Sequence, residues 1–89
     1  MEGIHIKTKG GFEVIIDPAA LDDMELLEDM ARMDAGEEWL AARVVSRLLG
    51  PAQKKALYEF CRDPETGRVP YTKVSEVLGE LFTSEILKK

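Results

Sequence analysis

Histidine and cysteine are the side chains that most readily act near neutral pH as a general base, a thiol nucleophile or a soft metal ligand. His5 is the single histidine and Cys61 the single cysteine. A nucleophile needs a base beside it, and a zinc ion needs three or four ligands, so neither residue suffices alone. We therefore expect both to be structural. A lone cysteine cannot form an intrachain disulfide, and it predicts a small buried residue in a reducing, intracellular setting.

The turn at Asp63–Gly67 partly resembles a calcium-binding loop. An EF-hand loop has oxygen ligands at its first, third and fifth positions, glycine at the sixth and glutamate at the twelfth. Counted from Asp63, the third position is Glu65, but the fifth is Gly67 and the twelfth is Val74. The spacing therefore favours a plain connection between two helices over a metal site.

Paired carboxylates occur at Asp22, Glu25, Glu28 and Asp29, in a segment with helical periodicity. Catalytic carboxylate pairs need a desolvated cleft that separates their pKa values. Here the pattern places them on the solvent side of an amphipathic helix. The glycine pair Gly10-Gly11 lacks the spacing of a nucleotide-binding loop. The sequence thus predicts no catalytic, cofactor-binding or metal-binding residues, and it indicates a protein that is not an enzyme.

Composition indicates one globular domain over residues 1–89, with 45% hydrophobic and 33% charged residues. The net charge of −5 disfavours nucleic acid as a partner, because phosphate binding needs clustered Lys and Arg. The longest apolar run, Trp39–Ala42, is far shorter than the roughly 20 residues of a membrane span. The N-terminus has no signal-peptide pattern. We expect neither membrane insertion nor export.

The charges are unevenly distributed along the chain. Nine acidic residues lie between Asp17 and Glu38 with Arg32 as the only base, whereas the segment from Trp39 to Tyr58 carries only basic charges. These bases are Arg43, Arg47, Lys54 and Lys55. Two outcomes are open at this stage. The acidic and basic segments pair within the molecule, or they present a strongly charged face to a partner.

Hydrophobic periodicity predicts an α+β, mainly helical fold. Ile4, Ile6 and Thr8 alternate with polar residues, as do Phe12, Val14 and Ile16 after the Gly10-Gly11 turn, which predicts a β-hairpin over residues 1–17. Residues 18–87 are expected to form about four helices against which the hairpin packs. These helices are predicted at 22–33, at 37–49, from Pro51 to about Arg62, and from Thr72 to about Ile86.

Several residues mark the ends of these helices and their inward faces. Asp22 or Asp23 is a suitable N-cap for the first helix, and Gly50-Pro51 separates the second from the third. The residues expected to face the core are Leu26, Leu27, Met30, Met33, Leu40, Val44, Leu48, Ala56, Leu57, Phe60, Cys61, Val74, Val77, Leu78, Leu81 and Phe82.

The first helix and the turn after it are the best candidates for a binding surface. Three of the four methionines lie in this acidic helix, and methionine suits surfaces that accommodate varied partners. Tryptophan is enriched at binding hot spots. The candidate partner-binding residues are Met24, Glu25, Glu28, Met33 and Trp39. The alternative, that the methionines and Trp39 fill a small core, remains open.

The order of these features resembles small tail assembly chaperones of long-tailed bacteriophages and prophages. The resemblance covers Phe12 to about Ile86. It rests on Phe12–Pro18 leading into Leu21–Glu28, the turn Met33–Gly36, the helix ending Leu48–Gly50, then Gln53–Lys55 and Gly67–Val69. It implies a chaperone in the cytoplasm of the infected bacterium that binds the tape-measure protein while the tail forms.

Two other functions fit the same residues. The first is a structural tail or head–tail completion protein that stays in the particle. The second is a small bacterial adaptor or anti-repressor whose acidic face mimics nucleic acid. The sequence leaves self-association and the identity of the protein partner open.

Overall fold

The computed structural model describes residues 3–83, which begin with an antiparallel hairpin of β1 (Ile4–Lys7) and β2 (Glu13–Ile16). In its register Ile6 faces Val14 and Ile4 faces Ile16. Ile6, Val14 and Ile16 are buried on the side facing the helices. Thr8 closes the turn, because its hydroxyl accepts a hydrogen bond from the Phe12 N–H. The predicted hairpin and its inward face are confirmed.

Two helices with aspartate caps follow the hairpin. The first, α1 (Pro18–Leu21), is a single turn that the sequence analysis did not anticipate, and the Asp17 carboxylate caps it at Ala19 N, 2.9 Å away. The second is α2 (Met24–Asp34), which Asp23 caps by accepting from the N–H groups of Glu25 and Leu26. Aspartate is among the strongest N-caps, which explains why both helices begin where they do.

A long helix, α3 (Ala41–Cys61), forms the centre of the molecule and is preceded by a 3₁₀ turn at Glu38–Leu40. The α-helical conformation therefore begins four residues later than the Glu37 start expected from sequence. Gly50 interrupts α3 with φ 82° and ψ 167°, and Pro51 restarts the helix. That interruption confirms the predicted boundary between two helical segments, 41–49 and 51–61. The Gln53 side chain joins the second segment to the hairpin by hydrogen bonds of 2.7 Å to both the N and the O of Ile15.

The last described helix is α4 (Tyr71–Thr83), reached through the turn at Asp63–Gly67. The Asp63 carboxylate accepts from Glu65 N, and the Asp63 carbonyl accepts from Gly67 N, so both groups hold the turn closed. The sequence predicted that this helix starts at Thr72, and it begins one residue earlier, at Tyr71. Its predicted end near Ile86 lies outside the described residues.

The core lies between the hairpin and the helices. Its fully buried members include Ile16, Leu26, Val44, Leu57, Cys61 and Leu81. Burying a leucine or isoleucine side chain contributes roughly 2–3 kcal/mol, and such contributions offset the chain entropy lost on folding. The α+β, mainly helical architecture predicted from sequence is confirmed. Among residues 3–83, no helix is both long and apolar enough to span a bilayer.

Three expected core residues point outward instead. Leu27 and Phe60 are about half exposed, at 51% and 45%, and Ala56 is exposed. Phe60 retains a contact with Phe12, at 5.3 Å between ring centroids. Conversely, Asp29, which was expected on the solvent side of its helix, is buried. The expectation was wrong for these four residues, because each lies at the border of its helix's apolar face, where the packing of neighbouring elements decides exposure.

Candidate functional site

A groove between α2 and α4 is the principal apolar depression near the predicted binding helix. Its volume is about 490 Å³. The side contributed by α2 consists of Leu27, Met30, Ala31, Met33 and Asp34. The side contributed by α4 consists of Ser75, Leu78, Gly79, Phe82 and Thr83. Ligand and partner-helix sites are characteristically concave and mostly apolar with a few polar groups, and this groove has that composition.

The groove is lined mainly by apolar side chains, with one carboxylate among them. Met30, Met33 and Phe82 are half-buried and pack against the core from its edge, while Leu27 is 51% exposed. Asp34, at the end of α2, adds a carboxylate to the lining. A partner that fills the groove would therefore bury apolar side chains while meeting negative charge at its edge.

Gly79 keeps the α4 side of the groove open. It lies inside α4, where glycine is less favourable than alanine by about 1 kcal/mol. A Cβ built at Gly79 would have no atom within 4 Å, so intramolecular packing does not require glycine there. The missing side chain leaves room for the backbone of a partner to approach closely. Gly79 is not among the residues predicted to bind a partner, although a lone glycine within an amphipathic helix can indicate a packing or functional role.

An ion-pair network fixes α2 against α3 and so positions one wall of the groove. The Arg43 guanidinium donates two hydrogen bonds to Asp29, at 2.7 and 2.8 Å. Arg47 lies 3.3 to 3.5 Å from the carboxylates of Asp23, Glu25 and Asp29. The bidentate geometry is that of a strong charge-assisted pair. The first segment of α3 thus pairs its charges with the acids of α2 inside the molecule.

These pairs shift the titration of their members. The hydrogen bonds from Arg43 lower the pKa of the Asp29 carboxyl, against the opposing effect of desolvation, and Asp29 correspondingly raises the pKa of Arg43. Arg32 similarly lowers the pKa of Glu37 through its side-chain hydrogen bonds. All of these groups therefore stay charged over the physiological range, and none is held near neutrality as a general acid or base would be.

The five residues predicted to bind a partner do not form one surface. Met33 lines the groove, on the inward side of α2. Met24 is 79% exposed, and Glu25 and Glu28 are exposed as well, outside the lining of the groove. Trp39, in the 3₁₀ turn, is 73% exposed, so it is not a core residue. Met33 packs against the core because its place in the helical period is that of buried Leu26 and Asp29.

The two residues considered for catalysis are placed apart from this groove. His5 lies on β1 opposite Ile15 with its side chain exposed. Cys61 is buried at the end of α3, and burial raises the pKa of its thiol, which keeps it in the unreactive protonated form. Within residues 3–83, no cluster of three or more His, Cys, Asp or Glu side chains has the geometry to hold a metal ion.

Comparison of the chain with protein-family models, with curated proteins and with solved structures found no match.

Proposed function

We propose that this protein acts by binding another protein, and that it holds an amphipathic helix of that partner in the groove between α2 and α4. The observation that carries the proposal is the groove itself: apolar side chains on both walls with the helix-interior Gly79 between them. Amphipathic helices commonly bind in such grooves through apolar residues spaced three or four apart.

The charge of the groove suggests the character of the partner helix. Asp34 lines the groove, and α2 carries further exposed acids at Glu25 and Glu28. Complementary potentials speed encounter and select among partners. We therefore expect the partner helix to present an apolar stripe to Leu27, Met33 and Phe82, flanked by lysine or arginine.

The identity of the partner rests on the resemblance of Phe12 to about Ile86 to phage tail assembly chaperones. In that case the partner is the tape-measure protein, a long helical chain that needs a companion until the tail tube surrounds it. Mass spectrometry of purified phage particles tests this role against that of a structural completion protein. A chaperone should be absent from the particle, whereas a completion protein should be present.

Gly79→Gln tests the groove directly. Glutamine is a good helix former, so the variant should fold at least as well as the parent chain, while the new side chain projects into the groove. Isothermal titration against the tape-measure protein of the same gene cluster should show affinity reduced at least about tenfold, or 1.4 kcal/mol. No binding by the parent chain at tens of micromolar would refute the tape-measure assignment.

Glu76→Gln is the matched control. It places the same side chain on the other flank of α4, beside Thr8 and Phe60 and away from the groove. This variant should bind as the parent chain does, and circular dichroism should report unchanged helix content in both variants. Equal affinities for Gly79→Gln and Glu76→Gln would show that the partner binds elsewhere.

A further inference from the structure

The second segment of α3 carries a basic stripe, which we define as Lys54, Lys55, Tyr58 and Arg62. Together with Ser46, Pro51 and Glu59, these residues line a shallow cavity of about 400 Å³. The Lys54 ammonium donates to Ser46 Oγ at 2.9 Å and lies 5.6 Å from the centre of the Tyr58 ring. Both contacts hold the half-buried lysine in place beside the cavity.

The two lysines of this stripe have no balancing carboxylate among the residues that the structure describes, whereas its Arg62 is paired with Glu59. Within residues 3–83, neither Lys54 nor Lys55 forms an ion pair with a carboxylate, and Glu59 is already bound by Arg62 at 2.8 Å. A half-buried cation gives up hydration, and an opposite charge nearby is what offsets that cost. The basic stripe therefore favours an acidic partner with an apolar side for Tyr58 and Pro51.

The same chain presents a surface of that kind on α2. We define the acidic stripe as Met24, Glu25, Leu27 and Glu28. Its methionine and leucine are largely exposed, and Glu28 forms no ion pair among the described residues. Glu25 is 3.3 Å from Arg47, yet its side chain remains 73% exposed. The acidic stripe thus combines apolar contact area with negative charge.

We propose that the acidic stripe of one copy of this chain docks on the basic stripe of a second copy. The acidic stripe, Met24 to Glu28, spans about 6 Å of helix and so fits within the roughly 12 Å from Lys54 to Arg62. No residue of α2 lines the cavity beside the basic stripe, so the contact joins two different surfaces. Such a contact is head-to-tail, and it builds rings or open chains of copies.

The association should be weak and sensitive to salt. Each copy carries a net charge of −5, so overall repulsion opposes the local attraction. Contacts made by two short helical stripes fall at the small end of protein interfaces. We expect dissociation constants on the order of 10–100 μM at low salt, corresponding to about 5.5–7 kcal/mol.

Sedimentation equilibrium of the full chain is the first test. At about 20 mM NaCl the average mass should rise above the 10.0 kDa of one chain as concentration increases. At about 500 mM NaCl it should return toward one chain, because the Debye length falls from roughly 20 Å to roughly 4 Å. A mass of one chain at every concentration up to about 0.5 mM in low salt would overturn the proposal.

A charge swap tests which surfaces meet. The variant Lys54→Glu/Lys55→Glu and the variant Glu25→Lys/Glu28→Lys should each lose self-association when alone. The first no longer has a basic stripe, and the second no longer has an acidic one. An equimolar mixture should also form heterodimers, since each variant retains one native stripe complementary to the other's. Self-association that survives both reversals, or a mixture that fails to associate, would contradict the docking proposed.

The control variant Arg68→Glu/Lys73→Glu changes the net charge as Lys54→Glu/Lys55→Glu does, from −5 to −9, at exposed positions outside both stripes. It should retain most of the self-association, and an equal loss would assign the effect to net charge alone. Circular dichroism verifies folding in every variant. The acidic stripe shares Leu27 with the groove between α2 and α4, whereas Gly79 belongs to neither stripe. Gly79→Gln should therefore leave self-association unchanged, so the two proposals can fail separately.

Discussion

The two segments of α3 on either side of Gly50 carry similar charges and use them differently. In the segment before Gly50, Arg43 and Arg47 are bound to the acids of α2 within the molecule. In the segment after it, Lys54 and Lys55 have no carboxylate partner among residues 3–83. Gly50 separates the two by leaving the helical conformation.

The sequence left open whether the acidic and basic segments pair within the molecule. Such pairing occurs in the first segment of α3, and none is found for the lysines of the second among residues 3–83. The arginines stabilise the position of α2, which forms one wall of the groove. The lysines instead remain available at the surface. Basic residues a few positions apart in one helix can therefore have unrelated roles when the backbone changes direction between them.

The largest effect on stability should come from substituting Gly50, the residue that interrupts α3 between its two segments. At φ 82° and ψ 167° Gly50 has a conformation that is almost exclusive to glycine, so Gly50→Val should destabilise the fold by about 3 kcal/mol. The free energy of unfolding from urea titration measures this. An unchanged free energy of unfolding would mean that the protein accommodates a continuous helix equally well. The two segments would then not be distinct.

Gly79→Ala is the contrasting substitution. Gly79 has helical surroundings and open space at its Cβ position, so alanine should stabilise the protein by up to about 1 kcal/mol. Urea titration should then show that substitution lowers the free energy of unfolding at Gly50 and raises it at Gly79.

The next largest effect on stability should come from disrupting the ion pairs of the first segment of α3. Asp29→Asn removes the carboxylate that holds Arg43 and approaches Arg47, and we expect the melting temperature to fall by several degrees. The comparable change at an exposed, unpaired acid, Asp22→Asn, should have little effect. Equal stabilities for the two variants would show that the network does not hold α2 in place.

The same carboxylate predicts a dependence on pH. The pKa of Asp29 is lower in the folded protein than its value of about 3.9 in an unfolded chain. Its contribution to stability is therefore complete above the unfolded pKa and is lost as pH falls toward the folded one. Urea midpoints at about pH 7 and pH 3 should differ less for Asp29→Asn than for the parent chain. An identical pH dependence in both chains would contradict the assignment.

The smallest effect should arise in the second segment. Lys55→Ala removes an exposed charge that forms no ion pair among the described residues, so stability should change by less than about 0.5 kcal/mol. Thermal melting measures it. A loss as large as that of Asp29→Asn would indicate that Lys55 has a structural role after all, and the contrast between the segments would disappear.

The sequence predicted those features that depend on local chemistry. Alternating apolar residues identified both strands, and Gly50-Pro51 marked the interruption of α3. Asp23, one of the two N-cap candidates, is the residue that caps α2. Each of these signals acts through neighbouring residues only. The prediction of where α3 begins was less accurate, because a 3₁₀ turn and an α-helix have nearly the same periodicity.

The features that escaped prediction depend on residues distant in sequence. Asp29 is buried because Arg43, fourteen positions away, reaches it. The groove needs α2 and α4 to lie side by side, and no pattern within either helix specifies that neighbour. The sequence shows that Gly79 weakens the helix, but its role in keeping the groove open depends on the position of α2. The sequence left open whether Trp39 lies in the core or at the surface, and its place in the 3₁₀ turn exposes it.

The two hydrogen bonds between the Gln53 amide and the backbone of Ile15 have a consequence for aggregation. The outward N–H and C=O of a strand at the edge of a sheet are where another polypeptide strand adds, and unprotected edges allow sheets to grow without limit. Gln53 occupies both groups of Ile15, as a neighbouring strand would. A single side chain from α3 thus obstructs the growth of the hairpin along β2.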